Sequence, residues 1–300
     1  MLYCKATAEI APKKCKKHFF GIKTRFFIFS CQKFYINTCI LRIKAMEQTG
    51  NRQKNGILYF SSTGNSLFIA KKVQKRFGGD VIYIPAYRGN GGEFEKIFLV
   101  TPIYSFGMPA HVYELLPKLD RTAELIVIQN YGGMAGGADR LIYRYARRFG
   151  LNVKSVYTLK MPENYTLTFT VPKFYIKSTL KKAERRLNDI FARIENKQYV
   201  LPTGTKTKEK LYLKNMANWH LIGERFSVTE NCVLCKKCLT VCPSGNIEFS
   251  EGKIVFGSRC VACLGCYHRC PQKAIVYNKK RKKDRYVNPD VTESEIGKNL

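Results

Sequence analysis

The chain is short of acid, histidine and long apolar runs. Only 22 of its 300 residues are Asp or Glu, against 52 Lys or Arg, for a formal net charge of +30. Its four histidines, His18, His111, His220 and His268, have no obvious catalytic neighbours, so neither a Ser-His-Asp nor a Cys-His constellation is offered for substrate chemistry. No stretch reaches the roughly 18 apolar residues that a membrane-spanning helix needs; the most apolar N-terminal stretch, Phe26 to Ile43, is interrupted by Gln32, Lys33, Asn37 and Arg42. Neither Gly-x-Gly-x-x-Gly nor Gly-x-x-x-x-Gly-Lys follows the first apolar run, which argues against a dinucleotide or ATP fingerprint there. No secretory leader is evident, which argues against a disulfide framework. An apolar fraction of 45% excludes wholesale disorder, and the length suits about two domains.

What is abundant is cysteine, and most of it is concentrated. Eight of the twelve lie between Cys232 and Cys270, in two copies of Cys-x-x-Cys-x-x-Cys-x-x-x-Cys-Pro: Cys232, Cys235, Cys238, Cys242 with Pro243, and Cys260, Cys263, Cys266, Cys270 with Pro271. Structural zinc usually takes two Cys-x-x-Cys pairs a dozen or more residues apart, so a third cysteine at the same short interval has no role in a tetrahedral site. The doubled pattern points to iron–sulfur clusters. The stretch from about Val228 to Tyr277 resembles a bacterial-type two-[4Fe-4S] ferredoxin. That resemblance implies that the fourth cysteine of each copy serves the other cluster, with Cys232, Cys235, Cys238 and Cys270 on one [4Fe-4S] centre and Cys260, Cys263, Cys266 and Cys242 on the second.

Upstream, Ile57 to Phe60 is a continuous apolar run, as expected of a parallel strand buried on both faces. It ends in Ser61-Ser62-Thr63-Gly64-Asn65-Ser66, and Leu67, Ala70, Val73 and Phe77 then recur at helical steps. Ser, Thr and Asn are ordinary helix caps, but six small or polar residues in a row exceed what one cap needs. A hydroxyl-rich turn at a helix N-terminus suits a phosphate. Strands are expected at Val81 to Pro85, Lys96 to Tyr104, Leu125 to Asn130 and Val153 to Leu159, with helices from Pro109 and over Ala138 to Phe149. This alternation gives a five-stranded parallel sheet, doubly wound, with helices on both faces. Two more loops fall at the same sheet edge. They are Pro102-Ile103-Tyr104-Ser105-Phe106-Gly107 and Asn130-Tyr131-Gly132-Gly133, both aromatic and glycine-bearing. The strand, the hydroxyl run and the loops, over about Gly56 to Leu159, resemble flavodoxin. The resemblance implies that Ser61, Thr63 and Ser66 hold the phosphate of FMN, with Gly64 allowing close backbone approach, and that the other two loops flank the flavin.

Together the two stretches resemble the flavodoxin-ferredoxin fusion family: an α/β flavodoxin-like domain followed by a small α+β ferredoxin-like domain. The expected organisation is a basic extension over 1–54, the FMN domain over 55–205, a linking helix over 206–226, the two-[4Fe-4S] domain over 227–280 and a basic tail over 281–300. A long helix is expected from Pro172 to Ile194, with Lys173, Lys177, Lys181, Lys182, Arg185 and Arg186 on its outer face. Met161 to Tyr165 reads either as an ordinary connection or as a lid over the flavin, and Trp219 as packing at the domain junction. His220 and His268 read as surface residues. The resulting expectation is a cytoplasmic electron-transfer protein relaying electrons between FMN and two clusters, to or from an acidic redox protein such as a ferredoxin or flavodoxin. The alternative is a flavin-dependent quinone or NAD(P)H reductase with its own small-molecule substrate. The charge and the Lys279 to Lys283 run also raise nucleic acid, but no recognition module accompanies them.

Overall fold

Gly56 to Tyr59 can lie flat inside a sheet because every side chain there is apolar or absent, and the strand they belong to, β1 (Gln53–Tyr59), has a neighbour on each side. The computed structural model describes residues 53–167, 170–280 and 284–300. The basic extension up to residue 52, with its four cysteines, and the Arg281–Lys283 part of the basic run lie outside the described residues. The extension was expected to run to residue 54, but β1 already begins at Gln53.

The remaining strands are β2 (Asp80–Tyr83), β3 (Phe94–Pro102), β4 (Glu124–Tyr131) and β5 (Asn152–Lys160). All pair in parallel, in the order β2-β1-β3-β4-β5. The strand order reverses between β1 and β3, so the loops after these two strands diverge and leave a crevice at their carboxyl ends. Helices α1 (Asn65–Phe77) and α4 (Lys173–Glu195) cover one face, where Phe77 packs on Phe98 of β3 at 5.2 Å and on Phe191 of α4 at 5.3 Å between ring centroids. Helices α2 (Ala110–Leu115) and α3 (Ala138–Arg148) cover the other, joined by Tyr113 and Tyr145 at 5.3 Å. With both faces covered, Ile57, Leu58, Phe98, Leu99, Ile126 and Val127 are fully buried, each such side chain contributing about 1.5–3 kcal/mol.

The expected linking helix over 206–226 is two short ones, α5 (Glu209–Ala217) and α6 (His220–Glu224). The break falls where Trp219 turns inward, edge-on to Tyr104 at 6.2 Å and against Tyr212 at 6.3 Å, so burial of one indole outweighs a straight helix. Beyond it lie β6 (Phe226–Val228), α7 (Lys237–Thr240), β7 (Ile247–Ser250), β8 (Lys253–Phe256), α8 (Gly265–His268) and β9 (Ile275–Tyr277). The antiparallel pairs are β6 with β9 and β7 with β8. This cysteine-bearing lobe and the sheet lobe belong to one compact unit, Arg52–Leu300.

Residues 284–300 are not a free basic tail. They run back across the sheet lobe: Leu300 exchanges both backbone hydrogen bonds with Val81 (3.1 and 2.8 Å), covering the outer edge of β2. The Tyr59 hydroxyl donates to the Lys298 carbonyl at 2.7 Å, and Lys71 holds both oxygens of Glu295 at 2.9 Å. After Asp284 the segment is apolar enough to bury Tyr286 and Ile296. Among the described residues no helix is long and apolar enough to cross a membrane.

Candidate functional site

The turn from β1 into α1 has features that suit an anion. Gly64 precedes the helix at φ 95°, a left-handed conformation that glycine adopts without strain, and a Cβ there would meet Val291 at 2.6 Å. The first helical turn carries no acid, while Lys75 and Arg76 sit in the last, so nothing neutralises the positive end of the helix. Ser61, Ser62, Thr63, Asn65 and Ser66 are all buried. Their hydroxyls are held in place: Ser61 Oγ accepts the Gly64 N–H at 3.0 Å, Asn130 Nδ2 donates to Ser66 Oγ at 2.7 Å, and Asn164 Nδ2 donates to Thr63 Oγ1 at 3.1 Å.

This turn opens into a cavity of about 380 Å³, a size that suits a small-molecule or cofactor site. Of the sixteen loop residues singled out from sequence, Ser61, Ser62, Thr63, Asn65 and Ser66 line it, as do Pro102 to Phe106 and Asn130 to Gly133; Gly64 and Gly107 do not. Gly107 instead lies under the Tyr212 ring, where a Cβ would come within 2.3 Å. Tyr104 and Ser62 share a hydrogen bond at 3.2 Å, and burial pushes the Tyr104 phenol up, so it stays protonated. Ser105 and Phe106 take left-handed backbone angles, turning the Phe106 ring under the Lys208 ammonium at 4.1 Å.

Pro162, Glu163, Asn164 and Tyr165 form a further wall. The Glu163 carboxylate accepts the N–H groups of Gly133, Asn164 and Tyr165, each at 2.9 Å, pinning this loop to the one after β4. Sequence left this segment open between a lid and a connection, and its place on the cavity follows from being the fourth loop at the same edge, after β5. Met134, 67% exposed, stands at the rim.

The remaining wall comes from the other lobe. Trp219 and Ile222, and then Ala262, Cys263 and Leu264, close the cavity. Trp219 is the buried junction residue that sequence suggested, yet it also faces the cavity. Nothing in the spacing of Cys260 to Cys266 announces that its middle cysteine borders the loops of a distant sheet.

In the cysteine lobe the backbone repeats along with the cysteines. Leu234 and Lys236 in the first copy, and Ala262 and Leu264 at the same register in the second, all have φ between 51° and 60°; Gly245 and Lys273 form a third such pair. Left-handed non-glycine residues each cost on the order of 1–3 kcal/mol, so a repeated set implies a constraint that the fold keeps. What it achieves is a curl that aims N–H groups at sulfur. Asn246 donates to Cys242 Sγ at 3.2 Å, and Ala274 to Cys270 Sγ at 3.3 Å, in the same relative position, while Ala262 donates to Cys260 Sγ at 3.4 Å.

All eight of these cysteines are free of disulfides. Burial pushes the Cys263 thiol up to about 12 and Cys238 up to about 11, and raises Cys266 well above its usual range. Neighbouring thiols add to these shifts: Cys270 and Cys232 act on Cys238, Cys242 and Cys260 act on Cys263, and thiols of both copies, Cys238 included, act on Cys266. Without a cation the thiols of Cys238, Cys263 and Cys266 therefore stay protonated, and a positively charged centre is what would draw them to thiolates. Among the described residues no three His, Cys, Asp or Glu side chains are close enough to hold a single metal ion. An all-cysteine donor set with N–H groups aimed at sulfur is of the kind that can hold an iron–sulfur cluster.

His268, expected at the surface, is buried in α8. Its Nδ1 accepts the Tyr286 N–H at 3.1 Å, so Nε2 carries the proton and donates to the Asn164 carbonyl at 2.6 Å. Burial lowers its pKa to about 4, so it is neutral there.

No protein-family model matches the chain, and no curated protein matches it. Among solved structures the chain is similar to a flavodoxin from the domain Archaea, at 17% identity and a TM-score of 0.34 over 48% of this chain and 99% of that one. It is similar to a flavoprotein in complex with FMN from Lactobacillus acidophilus NCFM, at 17% and 0.31 over 35% and 93%. It is also similar to two-electron reduced Megasphaera elsdenii flavodoxin, at 22% and 0.30 over 35% and 84%. At these scores the likeness decides nothing by itself, and the five-stranded parallel sheet stands on its own order and register.

Proposed function

We propose that the chain is an iron–sulfur flavoprotein of the flavodoxin-ferredoxin fusion type, in which FMN and two [4Fe-4S] clusters relay electrons to or from an acidic redox protein. The observation that carries this is the shared cavity: the loops suited to a flavin and its phosphate form three walls, and Ala262-Cys263-Leu264 forms another. Ser61, Thr63 and Ser66 would hold the phosphate, while Tyr104, Phe106 and Tyr131 would flank the ring. Cys260, Cys263, Cys266 and Cys242 would hold the cluster nearer the flavin, and Cys232, Cys235, Cys238 and Cys270 the other. Flavin exchanges electrons in pairs or singly, whereas each cluster passes one, so the pairing interconverts one- and two-electron chemistry.

The residues of this chain divide the work. Trp219 and Tyr104, edge-on to one another, both line the cavity and would shield a bound flavin from water. The amides on Cys242, Cys260 and Cys270 sulfur stabilise negative charge there and so bear on potential. Cys235 is exposed where Cys263 is buried, so a cluster held by the first set would lie nearer solvent and one held by the second nearer the cavity. Eight thiols kept reduced suit a reducing compartment such as the cytoplasm.

An anaerobic preparation should carry about eight iron and eight sulfide, the content of two cubes, with one FMN per chain. In a redox titration followed by absorbance and electron spin resonance, Cys263→Ala should alter the flavin's environment and Cys235→Ala should leave it as it was. Zinc without sulfide, or a flavin indifferent to both changes, would sink the reading. The open rim at Met134 favours a second reading, reduction of a quinone or oxidation of NAD(P)H at the flavin; steady NADH consumption by the isolated protein would select it.

A further inference from the structure

The hydroxyl loop does not stand alone behind its cavity. Asn65 sits at the first position of α1, buried, and its amide is fully engaged: Nδ2 donates to the Pro162 carbonyl at 2.9 Å, while Oδ1 accepts the Tyr286 hydroxyl at 2.5 Å and Asn288 Nδ2 at 3.0 Å. The Thr63 carbonyl accepts the Asn288 N–H at 2.8 Å. Asn164, which donates to Thr63 Oγ1, is itself held by His268 through its carbonyl, and the other nitrogen of His268 accepts from Tyr286. Tyr286, Asn288 and His268 are 3%, 1% and 4% exposed. The loop is thus backed by two residues of the returning C-terminal segment and by one on α8, the short helix that contains Cys266. The C-terminal segment is also fastened to the cysteine lobe, since Arg269 Nη2 donates to the Glu293 carbonyl at 3.0 Å and Lys237 pairs with the Glu293 carboxylate at 2.5 Å.

We propose that Tyr286, Asn288 and His268 are positioning residues for the Ser61–Ser66 loop, so that its grip on the FMN phosphate depends on the cluster-bearing lobe. This rests on the FMN reading above. None of the three lines the cavity, so they act through Asn65, Thr63 and Asn164. Withdrawing the Tyr286 hydroxyl leaves Asn65 Oδ1 with one donor and frees the amide to rotate, which loosens the first turn of α1 where a phosphate would sit. The isoalloxazine, flanked by other loops, is not touched by this change, so the effect should be specific to the phosphate. Coupling of this kind is reciprocal: FMN should in turn tighten the cysteine lobe.

The test uses full-length, cluster-loaded protein under anaerobic conditions, with FMN and riboflavin dissociation constants read by flavin fluorescence. Tyr286→Phe should raise the FMN constant about tenfold, the effect of losing one well-placed hydrogen bond of about 1.4 kcal/mol, and leave riboflavin within a factor of about two. Asn288→Ser keeps the backbone donor to Thr63 and withdraws the amide from Asn65, together with the acceptor for the Asp290 N–H, so it reports on the same contact should Tyr286→Phe load iron poorly. His268→Gln, which keeps a donor for the Asn164 carbonyl, should retain more FMN discrimination than His268→Ala. An FMN-to-riboflavin ratio equal to that of the unmodified protein in all four variants overturns the proposal while leaving the FMN reading intact. Equal affinity for the two flavins in the unmodified protein overturns the FMN reading instead.

Discussion

The sheet lobe and the cysteine lobe stabilise themselves by different means. In the sheet lobe five parallel strands lie between two helical layers, and Ile57, Leu58, Phe98, Leu99 and Ile126 are fully buried. The cysteine lobe has two two-stranded ribbons, two single-turn helices and a small apolar cluster of Leu167, Phe226, Leu264, Tyr267 and Ile275. It also keeps several left-handed non-glycine residues, each unfavourable. A core that small rarely holds a fold on its own, and metal is one of the usual staples. On the proposed reading one lobe is a scaffold, while the other would depend on the clusters it holds.

Iron removal gives the largest separation of the two. Chelation under reducing conditions should abolish amide protection in β6 to β9 while β1, β3 and β4 stay protected by hydrogen exchange. Loss of protection in both lobes together would mean that the sheet is not self-sufficient.

Electrostatics comes next. Lys173, Lys177, Lys181, Lys182, Arg185 and Arg186 on α4 are exposed, whereas exposed Cys235 lies on the other lobe. Complementary fields raise encounter rates by roughly 10 to 10³, and a Debye length of about 8 Å at physiological salt screens them. Reduction by an acidic ferredoxin in stopped flow should slow with salt; charge reversal on α4, compared with reversal at Lys236 beside Cys235, shows which lobe the partner meets. A rate indifferent to salt removes the electrostatic account.

Smaller again is the effect confined to the phosphate loop. Thr63→Ala and Ser66→Ala each withdraw a hydroxyl from a charged group, worth about 1.5–3 kcal/mol. FMN should therefore weaken about tenfold or more while riboflavin holds. Equal weakening of both flavins would move the phosphate elsewhere.

The smallest effect at neutral pH concerns Tyr59, where the returning C-terminal segment meets the sheet. Burial, partly offset by hydrogen bonding with Gly297 and Lys298, raises its phenol to about 12 against an ordinary value of 10.0. Between these values the native state holds a proton that the unfolded state has lost. The contribution, about 3 kcal/mol at 1.36 kcal/mol per unit, is complete below pH 10 and lost as pH rises through 12. Circular dichroism should show unfolding steepening above pH 10, and Tyr59→Phe should flatten it by about one proton; an unchanged slope would place the titration elsewhere.

The strands were legible in the sequence because a parallel strand covered on both faces must be apolar throughout, as in Ile57 to Phe60 and Leu125 to Ile128. The hydroxyl run and the doubled cysteine spacing were legible because chemistry demands particular atoms at short intervals. Three features escaped. Trp219 broke an expected helix, since its inward turn depends on Tyr104 and Tyr212 from elsewhere in the chain. His268 looked like surface because its partners, the Asn164 carbonyl and the Tyr286 N–H, are backbone groups with no signature. The segment after Asp284 looked like a tail because a strap with few apolar residues resembles a solvated end until its landing place is known.

The sequence by itself determined the parallel sheet, the buried hydroxyl run at its edge and the doubled cysteine spacing, because each depends on residue type and local spacing. Only the tertiary structure decided that Cys263 borders the same cavity as Ser61 and Tyr104, and that Tyr286 and Asn288 brace Asn65 from more than two hundred residues away. Contacts across such separations depend on how two lobes pack, and packing is a property of surfaces that exist only once each lobe has folded.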